Sequence, residues 1–175
     1  MSNFKSKSIK LSYLQKIQAS AERVFPLLCP TREYEWIETW NCDLIHSNSG
    51  IAEKNCVFRT GFFGEPSKID LSDEPTSDVW VVTHYEPNKK IEFVRMNSIR
   101  VSCISFTLVE NGDGTTHSLV DQLLIGLTEQ GNRSLGAIAE SFPFEFAMGE
   151  AMLNHYLITG NILPIKAAIE IASKK

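Results

Sequence analysis

The sequence predicts an α+β fold in which a curved antiparallel sheet of about seven strands wraps around one long C-terminal helix. Three observations lead there. One apolar stretch with helical spacing, SFPFEFAMGEAMLNHYLITGN, stands near the C-terminus, from Ser141 to Asn161. Much of the chain before it, above all 79–127, alternates polar and apolar residues with period two. The order of elements is a strand, two short helices, a run of strands and then the long helix. That order joins strands through hairpins and leaves one element able to cover the hidden face of a sheet.

Taken in order, residues 2–7 are polar and expected to be loose. Ser8 to Ala19 alternates through Ile9, Leu11, Tyr13 or Leu14, and Ile17 and reads as the first strand. Ser20 is placed to cap a short helix carrying Val24, Phe25, Leu27 and Leu28, with Glu22 in its first turn. Pro26 keeps that helix short and Pro30 ends it. Thr31 opens a second short helix bearing Trp36, Ile37 and Trp40. Cys42–His46 and Asn55–Thr60 read as strands joined by the turn-like Ser47–Gly50. Gly61–Ser77 holds two glycines, two prolines and the acids Glu65, Asp70, Asp73 and Glu74 against Lys68, which marks a long surface loop. Val79–Glu86, Ile91–Met96, Ile99–Val109 and Thr115–Leu127 are strands; Pro87–Lys90 is a turn and Asn111–Gly114 a hairpin signal. Gly131–Ala139 bridges to the helix, Gly160–Asn161 stops it, and Ile162–Lys175 forms a small amphipathic tail helix.

On a 3.6-residue wheel, Phe142, Phe146, Gly149, Leu153, Tyr156 and Leu157 make one stripe of the Ser141 helix, expected to face the sheet. Gly149 in its middle leaves room for something else. Phe144, Met148, Ala151 and Ile158 make a second apolar side. Either the tail helix Ile162–Ala172 or a second copy of the chain, giving a homodimer, could cover it.

The totals fit one domain of 175 residues, with 43% hydrophobic and 22% charged residues. A net charge of −4 argues against a nucleic-acid partner, because phosphate binding needs a basic patch. No window of about 20 apolar residues exists, so no membrane span is expected. The N-terminal MSNFKSKSIKLSYLQ has lysines but no apolar core, unlike a secretory signal. Cys29, Cys42, Cys56 and Cys103 are widely spaced with no C-x-x-C pair, which fits free thiols in a reducing cytoplasm. His46, His84, His117 and His155 contain no H-x-x-x-H pair, Ser134 and Ser141 lack a nucleophile-elbow setting, and no glycine-rich phosphate loop joins a strand to a helix. No metal and no cofactor is therefore expected.

Three stretches carry a family likeness. IQASAERVFPLLCPTREYEWI, WVVTHYEPNKKIEF, and NGDGTTHSLV followed by the long helix span nearly the whole chain. In this order the chain resembles the START-like, or pollen-allergen-like, superfamily with the helix-grip fold, and within it the polyketide-cyclase/dehydrase-like ligand-binding group. The acidic loop before Val79 and the tail after Gly160 depart from that pattern. The resemblance implies a cavity that takes a lipid, sterol, polyketide or similar apolar molecule. Members of the family include enzymes, carriers and chaperone-regulating domains, so the fold leaves the function open.

Period two assigns candidate lining residues. If Ile91 and Phe93 face the helix, so does Arg95; Val79, Val81, Thr83 and Tyr85 would share that side, with Ile104, Phe106 and Leu108. In the last strand, Leu119, Leu123 and Ile125 share a side with His117 and Asp121, and the opposite side, Ser118, Val120, Gln122 and Leu124, is nearly as apolar. Arg95 and Asp121 could pair across strands, His117 could shuttle a proton, and Glu145 could look into the pocket. The ligand-binding candidates are thus Trp36, Trp40, Tyr85, Phe93, Arg95, Phe106, His117, Asp121, Glu145, Phe146, Met152 and Tyr156. Trp80, Phe62 and Phe63 could line or gate the same space. The favoured function is a cytoplasmic binding protein for a small hydrophobic molecule. The alternatives are a cyclase or dehydratase using Arg95, His117, Asp121 or Glu145, and an interaction module resembling chaperone-ATPase activators.

Overall fold

The computed structural model describes residues 4–61, 75 and 77–174. The elements are β1 (Ser8–Ile17), α1 (Ala21–Val24), 3-10 turns at Phe25–Leu28 and Glu33–Glu35, β2 (Cys42–His46), β3 (Val57–Gly61), β4 (Ser77–Glu86), β5 (Lys90–Met96), β6 (Arg100–Glu110), β7 (Thr116–Gly126), α2 (Glu129–Thr159) and α3 (Ile165–Ala172). The strands form a seven-stranded antiparallel sheet in the order β1-β7-β6-β5-β4-β3-β2. This is the helix-grip α+β architecture. The expected gate residues Phe62 and Phe63, with most of the acidic loop, lie outside the described residues.

The local signals act as their chemistry requires. Gly112 and Gly114 take positive φ in the β6–β7 hairpin, and Asn88 does so in the β4–β5 turn. Gly160 caps α2 in the left-handed region, its N–H donating to the Tyr156 carbonyl at 2.7 Å. Ser20 has the extended backbone of an N-cap but makes no capping bond. Instead, the Ala21 N–H donates to Glu110 Oε1 at 2.8 Å, so β6 satisfies the helix end. The second short helix is a single 3-10 turn whose N-cap is Arg32, not Thr31.

The long helix begins twelve residues earlier than the sequence implied, at Glu129 rather than Ser141. Thr128 caps it, Oγ1 accepting from the Gly131 N–H at 3.1 Å. Gly131 and Gly136 had marked a bridge, and Pro143 lies inside the helix; each is accommodated differently. Gly131 sits where β7 turns into α2 and packs on the Ile99 carbonyl. Gly136 and Pro143 are on the exposed side of the helix, where a missing Cβ or N–H is cheapest. Residues 5–7 are held rather than loose: Lys7 N–H donates to Asn132 Oδ1, Asn132 Nδ2 to the Lys5 carbonyl, and Ser6 Oγ to the Gly126 carbonyl.

α2 packs on β1 and β7. Gln15 Nε2 donates to the Phe146 carbonyl, Asn154 exchanges bonds with Gln18 N–H and the Lys16 carbonyl, and Arg23 Nη2 donates to the Leu157 carbonyl. Phe142, Met152, Leu153 and Leu157 are buried beneath it, each worth roughly 1.5–3 kcal/mol of transfer free energy. α3 folds back onto α2. Its Ala168, with Leu163, joins the core cluster against which Met148 and Ala151 pack, so the tail helix supplies cover on the second side. Ile158 stays 69% exposed.

Register and burial define the inner face of the sheet. Ile9, Leu11, Tyr13, Gln15 and Ile17 of β1 lie level with Leu124, Gln122, Val120, Ser118 and Thr116 of β7. Those β7 residues stand opposite Ser102, Ile104, Phe106, Leu108 and Glu110 of β6. The face continues through Ile91, Phe93 and Arg95 of β5 to Tyr85, Val82 and Trp80 of β4.

Candidate functional site

A run of aromatic rings extends from α2 across the inner face of β6, β5, β4 and β3. Phe142 and Phe146 of α2 lie with centroids 4.6 Å apart, and Phe146 is 6.3 Å from Tyr13 and 6.2 Å from Phe106. Phe106 meets Phe93 edge-on at 6.3 Å, Phe93 meets Trp80 and Phe58 edge-on, and Phe58 stacks on Trp80 at 5.2 Å. Such pairs favour edge-on and offset geometry and hold the rings at fixed angles. Tyr13, Trp80, Tyr85, Phe106 and Phe146 all point inward yet are only half-buried. The helix packs on β1 and β7, and the rings of Trp80, Tyr85 and Phe106 keep part of their surface accessible.

One end of this lining is polar. Asp78 is buried, its side chain 4% exposed, and holds Arg95, 35% exposed, through Nε at 2.6 Å and through Nη2. Its second oxygen accepts from Asn97 Nδ2 at 2.7 Å. Arg95 lies over the Trp80 ring at 4.9 Å, and Trp80 Nε1 donates to Thr60 Oγ1 at 2.8 Å. A guanidinium so fixed presents its outer N–H groups in one direction, as a site for a carbonyl or ether oxygen requires. Asp78→Ala would leave Arg95 and Asn97 without this acceptor. Urea denaturation should show a loss of about 2 kcal/mol, whereas Asp121→Ala on the outer face should stay within about 0.5 kcal/mol.

Across from this cluster, the 3-10 turn at Glu33–Glu35 is braced against β2 and α2. The Tyr34 hydroxyl donates to the Cys42 carbonyl and accepts from the Cys42 N–H, both at 2.7 Å. Arg32 donates to both oxygens of Glu35, and the Tyr156 hydroxyl donates to Glu35 Oε2 at 2.6 Å. The Arg32 bond holds the Glu35 carboxyl below the usual range, and the bond to Glu35 raises the Tyr156 phenol. Cys42 opens β2 opposite Thr60, on the same face as Asp78.

The sequence-derived candidates separate into two groups. Phe93, Arg95, Phe106, Phe146 and Tyr85 come together on the inner side, Tyr85 edge-on to Phe25 at 5.2 Å. Burial raises the Tyr85 phenol. Met152 is buried under α2. Trp36 is buried and Trp40 half-buried, their indole N–H groups donating to the Leu27 and Pro30 carbonyls. Tyr156 is engaged with Glu35. His117 and Asp121 lie on the outer face, since Ser118 and Val120 on either side are the sealed residues of β7. Asp121 there borders a hollow of about 590 Å³ with Lys10, Glu92, Cys103 and Ser105. Glu145 is exposed and accepts from Ser141 Oγ at 2.6 Å. The acid–base set expected for a cyclase therefore does not assemble, and Arg95 pairs with Asp78 rather than Asp121.

The side assigned to β4 is corrected as well. Val79, Val81 and Thr83 face outward, and Asp78, Trp80 and Val82 inward. A register shift between Val82 and His84 then restores Tyr85 to the inner face. No period-two pattern reveals an extra residue, so Asp78 was missed. Glu33 carried no signal beyond being one acid in a short helix. Among the described residues no group of three or more His, Cys, Asp or Glu could hold a metal ion, and no helix is long and apolar enough to cross a membrane.

No family model and no curated protein sequence matches the chain. Solved structures do. Norcoclaurine synthase from Thalictrum flavum, solved with a transition-state analogue, superposes with a TM-score of 0.63 at 10% identity, covering 91% of this chain and 100% of that one. An uncharacterized protein from Rhizobium leguminosarum gives 0.60 at 12% identity, covering 88% and 97%. DynU16, from the dynemicin biosynthetic locus, gives 0.55 at 18% identity over 87% of this chain, which matches 48% of DynU16. At these identities the likeness is one of fold.

Proposed function

We propose that the protein binds a small hydrophobic molecule, of lipid, sterol or polyketide type, in the space between α2 and the inner face of β3–β6. The observation that carries this is the aromatic run from Phe142 and Phe146 through Phe106 and Phe93 to Trp80 and Phe58. Within that run Phe146, Phe106 and Trp80 keep accessible surface over the sealed Phe142, Phe93 and Phe58, and rings so placed are suited to contact an apolar guest. Arg95, anchored by Asp78, gives one polar contact that orients it. Trp36, Trp40, Met152 and Tyr156 act from behind this lining, as its support. Norcoclaurine synthase, a protein of similar fold, is solved in complex with dopamine and hydroxybenzaldehyde, which agrees with a small-molecule site. Four free cysteines support a cytoplasmic location.

Titration with phenyl-naphthylamine, which fluoresces in apolar surroundings, tests the proposal. Saturable binding in the micromolar range is expected, weakened about tenfold in Phe106→Trp, whose larger ring occupies part of the space. Thermal melting of Phe106→Trp should match the parent. An absence of saturable binding overturns the proposal.

A further inference from the structure

Asp78 and Arg95 stand on neighbouring strands of the inner face, and the geometry of their pair limits what Arg95 can offer a guest. The Asp78 side chain is 4% exposed and both of its oxygens are occupied. Oδ2 accepts from Arg95 Nε at 2.6 Å and from Arg95 Nη2; Oδ1 accepts from Asn97 Nδ2 at 2.7 Å. Nε and Nη2 form one edge of the guanidinium, so that edge is closed. Nη1 makes no hydrogen bond among the described residues, and the Arg95 side chain is 35% exposed.

Measured contacts tie this guanidinium to the aromatic run. Its carbon lies 4.9 Å over the Trp80 ring, and the same indole stacks on Phe58 at 5.2 Å and meets Phe93 edge-on at 5.8 Å. On the other side the neighbours are neutral. Ser102 stands level with Arg95 on β6 and accepts from Gln122 Nε2 at 2.6 Å. Arg100, two residues earlier on β6, reaches to α2, Nη1 donating to Ser134 Oγ at 2.7 Å. The charge that meets the rings is therefore that of the Arg95–Asp78 pair, and its sum is zero.

A carboxylate drawn to Nη1 would feel both members of the pair. At about 4 Å from the guanidinium carbon and about 7 Å from the Asp78 carboxylate, it keeps less than roughly half of the attraction of Arg95 alone. It must also give up its own hydration, which that remainder does not offset. A carbonyl or phenol oxygen carries no such desolvation cost and still receives a hydrogen bond from a charged donor.

Resting on the ligand-holding reading above, we infer that Asp78 sets the charge selectivity of the site: by neutralising Arg95 it selects an apolar molecule with a neutral oxygen, a ketone, ester or phenol, over one that ends in a carboxylate. Asp78 touches no ligand in this scheme; it acts through Arg95.

Displacement of phenyl-naphthylamine at about pH 7 by acetylnaphthalene and by naphthoate, two molecules of one shape and different charge, tests the inference. Any apolar site would prefer the ketone, so the diagnostic is the response to Asp78. In Asp78→Asn, naphthoate should bind about tenfold more tightly than it does to the parent, while the ketone stays within about threefold. The double variant Asp78→Asn with Arg95→Gln has no charge at this point and should return naphthoate to the parent affinity. An unchanged naphthoate affinity in Asp78→Asn, or a gain that persists in the double variant, overturns the inference. A measurement on the parent alone is independent of how the variants fold. The carbonyl stretch of bound, isotope-labelled acetylnaphthalene should lie below its position in hexane, because the carbonyl accepts from Arg95; a hexane-like position also overturns the inference. Failure of phenyl-naphthylamine to bind the parent sinks the ligand-holding reading together with this one, whereas binding with a negative naphthoate result removes the charge selection alone.

Discussion

Gly131→Ala should cost on the order of 4 kcal/mol, and Gly136→Ala, five residues further along the same helix, should stabilise the protein by about 0.5–1 kcal/mol. A Cβ on Gly131 would lie 1.9 Å from the Ile99 carbonyl oxygen, 3.0 Å from its carbon and 3.3 Å from the Gly126 Cα, all of them backbone. No rotamer relieves that contact. The Ile99 carbonyl is itself held in place, accepting from the Leu127 N–H at 2.8 Å. Gly126 is equally confined, since its Cβ would meet Asn132 Oδ1 at 2.3 Å. The same Asn132 ties down Lys5 and Lys7. Relief of the clash would therefore shift the start of α2, the β5–β6 turn and the segment before β1 together. For a domain of this size the thermal midpoint should fall by roughly 10 °C. At Gly136 nothing lies within 4 Å of the added methyl, so the gain is that of restricting the unfolded chain. Equal midpoints for the two variants would mean that the Gly131 packing is not as described.

Stability should also depend on pH through Glu33. Its carboxyl titrates near about 8 in the folded protein and near about 4.3 when unfolded. Between those values the folded state holds the extra proton, so its contribution is fully present below about pH 4.3 and is lost as pH rises through about 8. Burial is partial, so the loss is on the order of 2 kcal/mol rather than the whole shift. Glu33→Gln has no such proton to lose. Urea midpoints at about pH 5, 7 and 9 should therefore converge at the acid end and separate at the alkaline end, with Glu33→Gln the more stable there. Cys42, pushed up to about 12 by burial first, keeps its proton in the folded state over this range. Parallel curves for the two proteins would show that Glu33 is not desolvated.

The two predictions concern residues that the sequence presented differently. Gly131 was visible as a glycine in the right neighbourhood, but it reads equally well as a loop residue and as a close-approach residue in a helix. The distinction lies in the Ile99 carbonyl, about thirty residues away in sequence. Glu33 was one of three acids in a short segment. That it has no partner among the described residues became visible only when Arg32, Tyr156 and Ile165 were seen to serve the other two.

The sequence by itself determined the kind and order of the elements, because those depend on local chemistry. Period-two alternation in Ile91–Met96, the Asn111–Gly114 hairpin, the Gly160 stop and the aromatic stripe of the long helix each act within a few residues. They suffice for a helix gripped by an antiparallel sheet, and for Phe93, Arg95, Phe106 and Phe146 on its inner side. Tertiary structure alone decided which face β7 turns inward, because both of its faces are apolar and only pairing with β1 and β6 breaks the tie. The bulge near Thr83 had the same character: one extra residue reverses a strand's faces without changing its composition. It accompanies the pairing of Asp78 with Arg95, while the pairing of β7 with β1 and β6 left His117 and Asp121 outside. The polar end of the site is a product of register, which is set between strands and is not written in any one of them.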